Sequence, residues 1–159
     1  MAERKAVKKT VRKKTVKAKT TQKKVTRKKV VPKEPEDRLF AVEAARIARD
    51  RNCTDITVLD LSGISPATNY YVIATTTSDR QARTVADEIT VWGKKHNMPR
   101  FGLAGYDQGQ WILLDFVDVV VHLFDSEHRG YYNLEMLWGD AAEVSFDGPA
   151  QNAKSSDAE

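Results

Sequence analysis

The sequence predicts an α/β domain in which a mixed β-sheet is flanked by helices. Three observations predict it. Two segments repeat apolar residues at the helical period, first Phe40, Ala44, Ile47 and Ala48, then Ala82, Val85, Ala86, Ile89 and Trp92. Short runs rich in β-branched and aromatic residues lie between and after them, at 56–61, 70–75 and 111–124. The two ends are of a different kind, Lys-rich at one and small, polar and acidic at the other. This divides the chain into a basic arm (1–36), a folded domain (37–146) and an acidic tail (147–159).

The elements follow in order. Asp37 can cap a first helix running to about Arg51, and Asn52 stands where helices commonly stop. ITVLDL, Ile56 to Leu61, reads as a strand, and Ser62 to Thr68 as a loop with Gly63 and Pro66. YYVIAT, Tyr70 to Thr75, is apolar almost throughout, which predicts a central strand buried on both faces. Ser78 with Gln81 three residues on forms a capping box for a second helix reaching about His96. Residues 100–105 can form a short strand, and the loop Asp107–Gly109 leads into Trp111. Strand-type residues fill Trp111 to Phe124 with a bend near Asp115–Asp118, and Arg129 to Trp138 closes the domain as a short helix. The domain is too short for a doubly wound dinucleotide fold and carries no G-x-G-x-x-G motif.

Charge is divided unevenly. Residues 1–35 hold 15 Lys and Arg against two acids, Glu3 and Glu34, and the remainder holds 11 basic and 20 acidic residues. A net charge of +4 therefore hides a basic arm joined to an acidic globule. The arm has too little apolar content to repay chain ordering and is expected to be disordered. Fifteen cations will bind polyanions by counterion release; the competing reading is a solubilising tail. Its Lys and Thr composition differs from the Arg- and Ser-rich type of a transit peptide. The single cysteine, Cys53, rules out an intrachain disulfide and fits a reducing compartment. No apolar run approaches the roughly 18 residues of a membrane helix, and no hydrophobic stretch follows the N-terminal charges. A cytoplasmic location is expected ahead of an organelle matrix, with no membrane partner.

The stretch WILLDFVDVVVHLFDSEHRGYYNLEMLWGDA, Trp111 to Ala142, sets Asp115, Asp118 and His122 inside an apolar run. Ionisable groups there are costly unless paired or placed at a surface, so the block marks either an unusual core or a functional face. Asp115 and Asp118 are three apart and would point to opposite faces of a regular strand, converging only across a turn. The spacing alone does not make a two-carboxylate metal site. Asp118 and His122 are four apart and would share a face, but a relay needs a nucleophile, and no serine or cysteine has such a context. His122 reads best as a satisfied polar residue on a half-exposed strand. His96 and His128 lack metal-ligand spacing. Trp111, Tyr131, Tyr132 and Trp138, mixed with Arg129 and Glu135, are of the types that dominate interfaces. For Leu134 and Leu137 packing of the last helix on the sheet is the simpler reading; for Trp111 an exposed anchor and a core position are equally compatible.

The pattern W-x-L-L-D-x-x-D-V-V-V-H-x-F followed by R-x-x-Y-x-L-E-x-L-W, Trp111 to Trp138, resembles the Iojap-like ribosomal silencing factor family. N-Y-Y-V-I-A-T-x-T-S-D-R-Q, Asn69 to Gln81, and D-I-x-V-L-D-L, Asp55 to Leu61, resemble it too, in order and with compatible spacing over roughly Leu39 to Ala142. The resemblance implies a fold shaped like the nucleotidyltransferases but no enzymatic activity and no cofactor or metal. It implies docking on the large ribosomal subunit through large-subunit protein fourteen, where members block joining of the small subunit; organelle relatives act in large-subunit assembly. Carried over, the matching positions are Ser78, Arg80, Gln81, Trp111, Asp115, Asp118, His122, Arg129, Tyr132, Leu134, Glu135 and Trp138. Trp111 is then the aromatic anchor, with Asp115, Asp118 and His122 as polar complement beside it, and ribosomal RNA is the natural partner of the arm. A self-paired form hiding the aromatic face is a further expectation.

Three positions depart from the family. Val117, Thr76 and Ala104 stand where Gly, Gly and Glu are usual. Val disfavours a positive-φ turn, so the bend before Asp118 is expected to differ. An enzyme of the nucleotidyltransferase kind would need a G-S start to a helix and two carboxylates two apart on one strand. Thr77-Ser78 and the D-x-x-D spacing supply neither.

Overall fold

A computed structural model describes residues 34–148. Residues 1–33 of the basic arm and 149–159 of the acidic tail, with the disorder expected of them, lie outside the described residues, and Glu36, placed in the arm by the sequence reading, begins the first helix. The element order is α1 (Glu36–Asp50), β1 (Thr54–Asp60), β2 (Tyr70–Thr75), α2 (Asp79–Lys95), β3 (Gly102–Ala104), β4 (Trp111–Asp115) and β5 (Val119–Phe124), then α3 (Ser126–Tyr132), α4 (Leu134–Leu137) and β6 (Ala142–Glu143). The strands form one six-stranded sheet ordered β3-β4-β5-β2-β1-β6. Only β2 and β5 pair in parallel; every other neighbour is antiparallel. The predicted mixed α/β sheet is what forms, with β2 at its centre.

The side-chain period of two sorts each strand between two faces. Val72, Ala74, Val121, Leu123, Ile112 and Leu114 face α1 and α2, where they bury Phe40, Ala44, Ala48, Ala82, Val85 and Ile89. The alternate residues build a smaller cluster on the opposite face: Leu59, Leu61, Ile73 and Phe124, with Tyr71, Trp111, Leu134, Trp138 and Ala141 packed against it. No residue of α3 or α4 is fully buried. One face of the sheet thus carries two long helices and the other only two short ones.

Local detail departs from the sequence reading at four places. Asp37 does not cap α1; Pro35 occupies that position, and Asp37 sits in the first turn, where its Oδ2 accepts from Asn69 Nδ2 at 2.7 Å. That bond ties the helix start to the loop before β2. Ser78 does cap α2, its Oγ accepting from Gln81 N at 3.1 Å, but Gln81 Oε1 reaches back to Thr77 N at 2.7 Å and not to Ser78 N. The predicted helix Arg129–Trp138 is two helices. Asp125 caps the first by accepting from His128 N at 2.8 Å, and Asn133 at φ 41° and ψ 59° breaks the chain before the second. β6, two residues paired to Leu59 and Asp60, went unpredicted because so short a strand has no period to read.

The bend expected near 115–118 is a tight hairpin turn between β4 and β5. Asp115 pairs with Val120, and Phe116 N donates to Val119 O at 2.9 Å. Val117 stands at φ 73° in spite of its branched Cβ. The turn compensates with a side-chain bond, Val117 N donating to Asp115 Oδ1 at 2.7 Å, the short loop-closing contact to which aspartate is suited.

Candidate functional site

Of the functional residues expected from the sequence, Trp111, His122, Arg129, Tyr132 and Glu135 gather at one end of the less-covered face. Trp111 begins β4 opposite Phe124, and Leu113 lies opposite His122. Position 111 is set by the preceding loop. Gly105 stands at φ +73°, and a Cβ there would lie 1.9 Å from Trp111 O. Gly109, at φ +70°, passes so close to Asp79 that a Cβ would lie 2.5 Å from that residue's own Cβ. Gly105 therefore lets the loop fold tightly against the strand that carries the tryptophan, and Gly109 lets it pass close to the first turn of α2.

Around Trp111 the rings form a continuous array. Its centroid lies 5.0 Å from Phe124 in a stacked arrangement and 4.4 Å from Tyr132. His122 stacks at 5.9 Å on Phe124 and meets Tyr71 edge-on at 4.7 Å, and Tyr71 meets Trp138 edge-on at 6.0 Å. Such offset and edge-to-face pairs contribute about 0.5–1.5 kcal/mol each beyond the area they bury. Trp111 is half-buried, so both readings of it hold in part: its ring is packed from inside and open at the surface.

His122 corrects the expectation of a half-exposed strand residue. It is 3% exposed. Its Nδ1 accepts from the Trp111 indole Nε1–H at 3.2 Å, while Nε2 has no hydrogen-bond partner. Burial lowers its pKa from 6.5 to about 4, so the ring is neutral at physiological pH.

A second polar link holds α3 and α4 to the sheet. Arg129 Nε donates to Glu135 Oε1 at 2.7 Å, its Nη2 pairs with the same oxygen, and its Nη1 donates to Thr75 Oγ1 at 3.1 Å. The Arg129 side chain is only 13% exposed, so the pair is shielded from solvent far more than a surface ion pair. This clip fixes a surface of large apolar side chains. Tyr131 is 81% exposed, Met136 78%, Leu137 71% and Tyr132 44%. Leu134 packs on the sheet as expected, but Leu137 does not: the αL residue Asn133 re-aims α4 and turns Leu137 outward. Thr75, Met136 and Leu137 were missed as site residues. For Met136 and Leu137 the signal that could have found them is N-L after Y-Y, since Asn tolerates the left-handed conformation that breaks a helix; Thr75 carries no such signal.

The remaining candidates lie elsewhere. Asp115 shares the Trp111 face by register but spends a carboxylate oxygen on its own turn. Asp118 is exposed in that turn, and its carbonyl accepts from Asn69 N and Tyr70 N at 2.9 and 3.0 Å. The turn that lies between them thus puts one to structural use and the other in solvent, and Asp118 precedes the strand on which His122 is buried. Ser78 and Arg80 sit at the start of α2, beyond the C-terminal end of β2, where Thr76 N donates to Phe124 O at 2.7 Å. They share that end of the sheet with the aromatic cluster, but on the helix layer. The Cys53 thiol is buried and pushed up to about 11 by desolvation, which leaves little thiolate to act as a nucleophile. Among the described residues no three of His, Cys, Asp and Glu gather as a metal site, and no helix is long and apolar enough to cross a membrane.

An α/β sheet with one face sealed by helices, and the other displaying aromatic and aliphatic side chains beside a half-buried Trp111 that donates to a buried His122, has the anatomy of an interaction module. Residues 32–159 match the family described as ribosomal silencing factor during starvation. The chain belongs to that family of ribosomal silencing factors. It is 39% identical over 104 residues to "Ribosomal silencing factor RsfS" of Bacillus subtilis, covering 65% of this chain and 88% of the relative. It is 34% identical over 110 residues to "Protein Iojap, chloroplastic" of Zea mays, covering 68% of this chain and 48% of that one. A crystal structure from Chromobacterium violaceum superposes with a TM-score of 0.60 at 33% identity, covering 74% of this chain and 94% of that one. The family is named for silencing, a regulatory role in translation, and not for a catalysed reaction.

Proposed function

We propose that this protein docks on the large ribosomal subunit through the face around Trp111 and Tyr132, meets large-subunit protein fourteen there, and blocks joining of the small subunit. The observation that carries the reading is the uncovered run of Tyr131, Tyr132, Met136 and Leu137 beside the half-buried Trp111. A soluble domain that leaves four large apolar side chains open on two adjoining short helices has a surface made to be covered. The globule beyond residue 35 carries 20 acidic against 11 basic residues, which favours approach to a basic ribosomal protein in rate and orientation. The protein acts in the cytoplasm, where assembled subunits are met. Arg129 and Glu135 serve the docking by holding the helices that present it. Ser78 and Arg80, at the same end of the sheet, belong to the rim, while Asp115 and Asp118 lie at the far end of the β4–β5 hairpin and stand outside it.

The arm adds affinity without selectivity. Its 15 cations contact ribosomal RNA, and each phosphate neutralised steepens the fall of affinity with salt. Full-length protein in which eight arm lysines (8, 9, 13, 14, 23, 24, 28 and 29) are changed to Gln should bind large subunits with a clearly shallower salt slope. An unchanged slope overturns the RNA contact.

Sedimentation of cell extract with tagged wild type and Trp111→Ala tests the docking. Wild type should travel with free large subunits and be absent from translating ribosomes, and the variant should lose at least about 30-fold in affinity, the effect of removing an interface anchor. Co-migration with assembled ribosomes, with assembly intermediates alone, or only with a second copy of itself overturns the reading.

A further inference from the structure

His122 lies diagonally across the β4–β5 hairpin from Trp111, since Leu113 is its direct partner and Phe124 is that of Trp111. The indole nitrogen is a donor only, so the 3.2 Å contact makes His122 Nδ1 the acceptor. An imidazole can accept there only when neutral, with its proton on Nε2, and desolvation keeps this ring neutral. The Nε2–H is then a buried donor with no partner. That is an unfavourable arrangement for the fold. The neighbouring positions of β5 are Val119, Val120, Val121, Leu123 and Phe124, and an apolar residue at 122 would remove the orphan. The fold keeps a residue that stability does not favour, and the one hydrogen bond it gains is to the docking tryptophan.

We infer that His122 is a positioning residue for Trp111, holding the indole plane in the docking face and occupying its only polar atom. This rests on the docking reading of that face. The consequence for recognition is chemical. With Nε1–H turned inward, the open edge of Trp111 presents carbon and π surface alone. The protein side chain opposite it is therefore aliphatic or a cation lying against the ring, and not a carbonyl or carboxylate seeking a donor.

The test uses the full chain labelled with nitrogen-15. The three tryptophans give three indole resonances, and that of Trp111 is identified by its loss in Trp111→Phe. His122→Phe keeps a ring among Phe124, Tyr71 and Trp111 but removes the acceptor. His122→Asn keeps an acceptor near Nδ1. Expected is exchange of the Trp111 indole proton with solvent accelerated roughly tenfold or more in His122→Phe, the other two resonances unmoved, with a drop in subunit affinity of about tenfold. His122→Asn should restore both. Unchanged indole exchange in His122→Phe overturns the inference, as does equal behaviour of the two variants. If His122→Phe does not fold by circular dichroism, His122→Asn decides alone: indole protection kept at the wild-type level supports the inference, and protection lost overturns it. Trp111→Ala that binds subunits like wild type overturns the docking reading itself. Trp111→Ala that fails to bind while folded His122→Phe binds normally overturns only the positioning role.

Discussion

Replacing Val117 by Gly should make the domain more stable, although it removes three heavy atoms. Val117 sits at φ 73°, where a left-handed backbone costs an L-residue roughly 1–2 kcal/mol and a β-branched one the upper part of that range. The gain on removing Cβ is partly offset. Glycine raises the entropy of the unfolded chain, costing about 0.4–1 kcal/mol. The Val117 side chain is 56% exposed, so its lost burial costs well under 1 kcal/mol. The turn itself stays closed, because its bond to Asp115 Oδ1 comes from the backbone of residue 117. The net is a stabilisation of about 0.5–1 kcal/mol, which for a slope of about 1.5 kcal/mol per molar moves the urea midpoint up by roughly 0.3–0.7 M. Val117→Ala is the control. It loses the branched atoms but keeps the Cβ that opposes positive φ, so its midpoint should fall below that of the glycine variant. A glycine variant less stable than wild type, or an alanine variant equal to it, would refute the argument that strain is stored at this turn.

Three further outcomes are expected. Gly105→Ala combines a forbidden φ with a Cβ 1.9 Å from Trp111 O, and should destabilise the domain by more than about 2 kcal/mol and disturb the Trp111 emission spectrum; a melting temperature within a degree of wild type would contradict it. His122 carries a pKa lowered to about 4 in the folded state, so its contribution is fully present above pH 6.5 and is lost as pH falls toward 4. The stability of wild type relative to His122→Phe should therefore shrink by up to about 3 kcal/mol across that window, and a pH-independent difference in paired urea titrations would refute the assignment. Arg129→Met cuts the clip between Thr75 and Glu135 and should cost about 1–3 kcal/mol while weakening subunit binding, whereas a loss of binding with no change in stability would show that Arg129 touches the partner itself.

The layering of the domain was legible in the sequence because burial writes a period. The stripe from Ala82 to Ile89 specifies a helix with one buried side, and the unbroken YYVIAT specifies a strand covered on both, which is where each is found. What escaped was decided by single backbone angles or by very short pairings. Asn133 in the left-handed region splits a helix whose apolar spacing runs straight through it, and β6 is held by only two ladder positions. The site was half legible. Trp111, Arg129, Tyr132 and Glu135 converge as their residue types suggested, but the contact that ties Arg129 to the sheet, with Thr75, comes from 54 residues away and leaves no local signal. For Asp115 the residue type proved ambiguous, because an aspartate that closes a turn and one that meets a partner look alike in sequence.

The parallel pairing of β2 with β5 joins Tyr70 to Val119 and Thr75 to Phe124 across α2, β3 and β4. Contacts so distant along the chain form late, after the loop between them has been closed. The aromatic face draws Tyr71 from β2, Trp111 from β4, His122 and Phe124 from β5, and Tyr132 from α3, so no local fragment contains it. During synthesis α1, β1 and β2 emerge first, but the edge of β2 has no mate until residue 124 has left the exit tunnel. A copy still being translated therefore carries no finished aromatic face until β5 and α3 have both emerged.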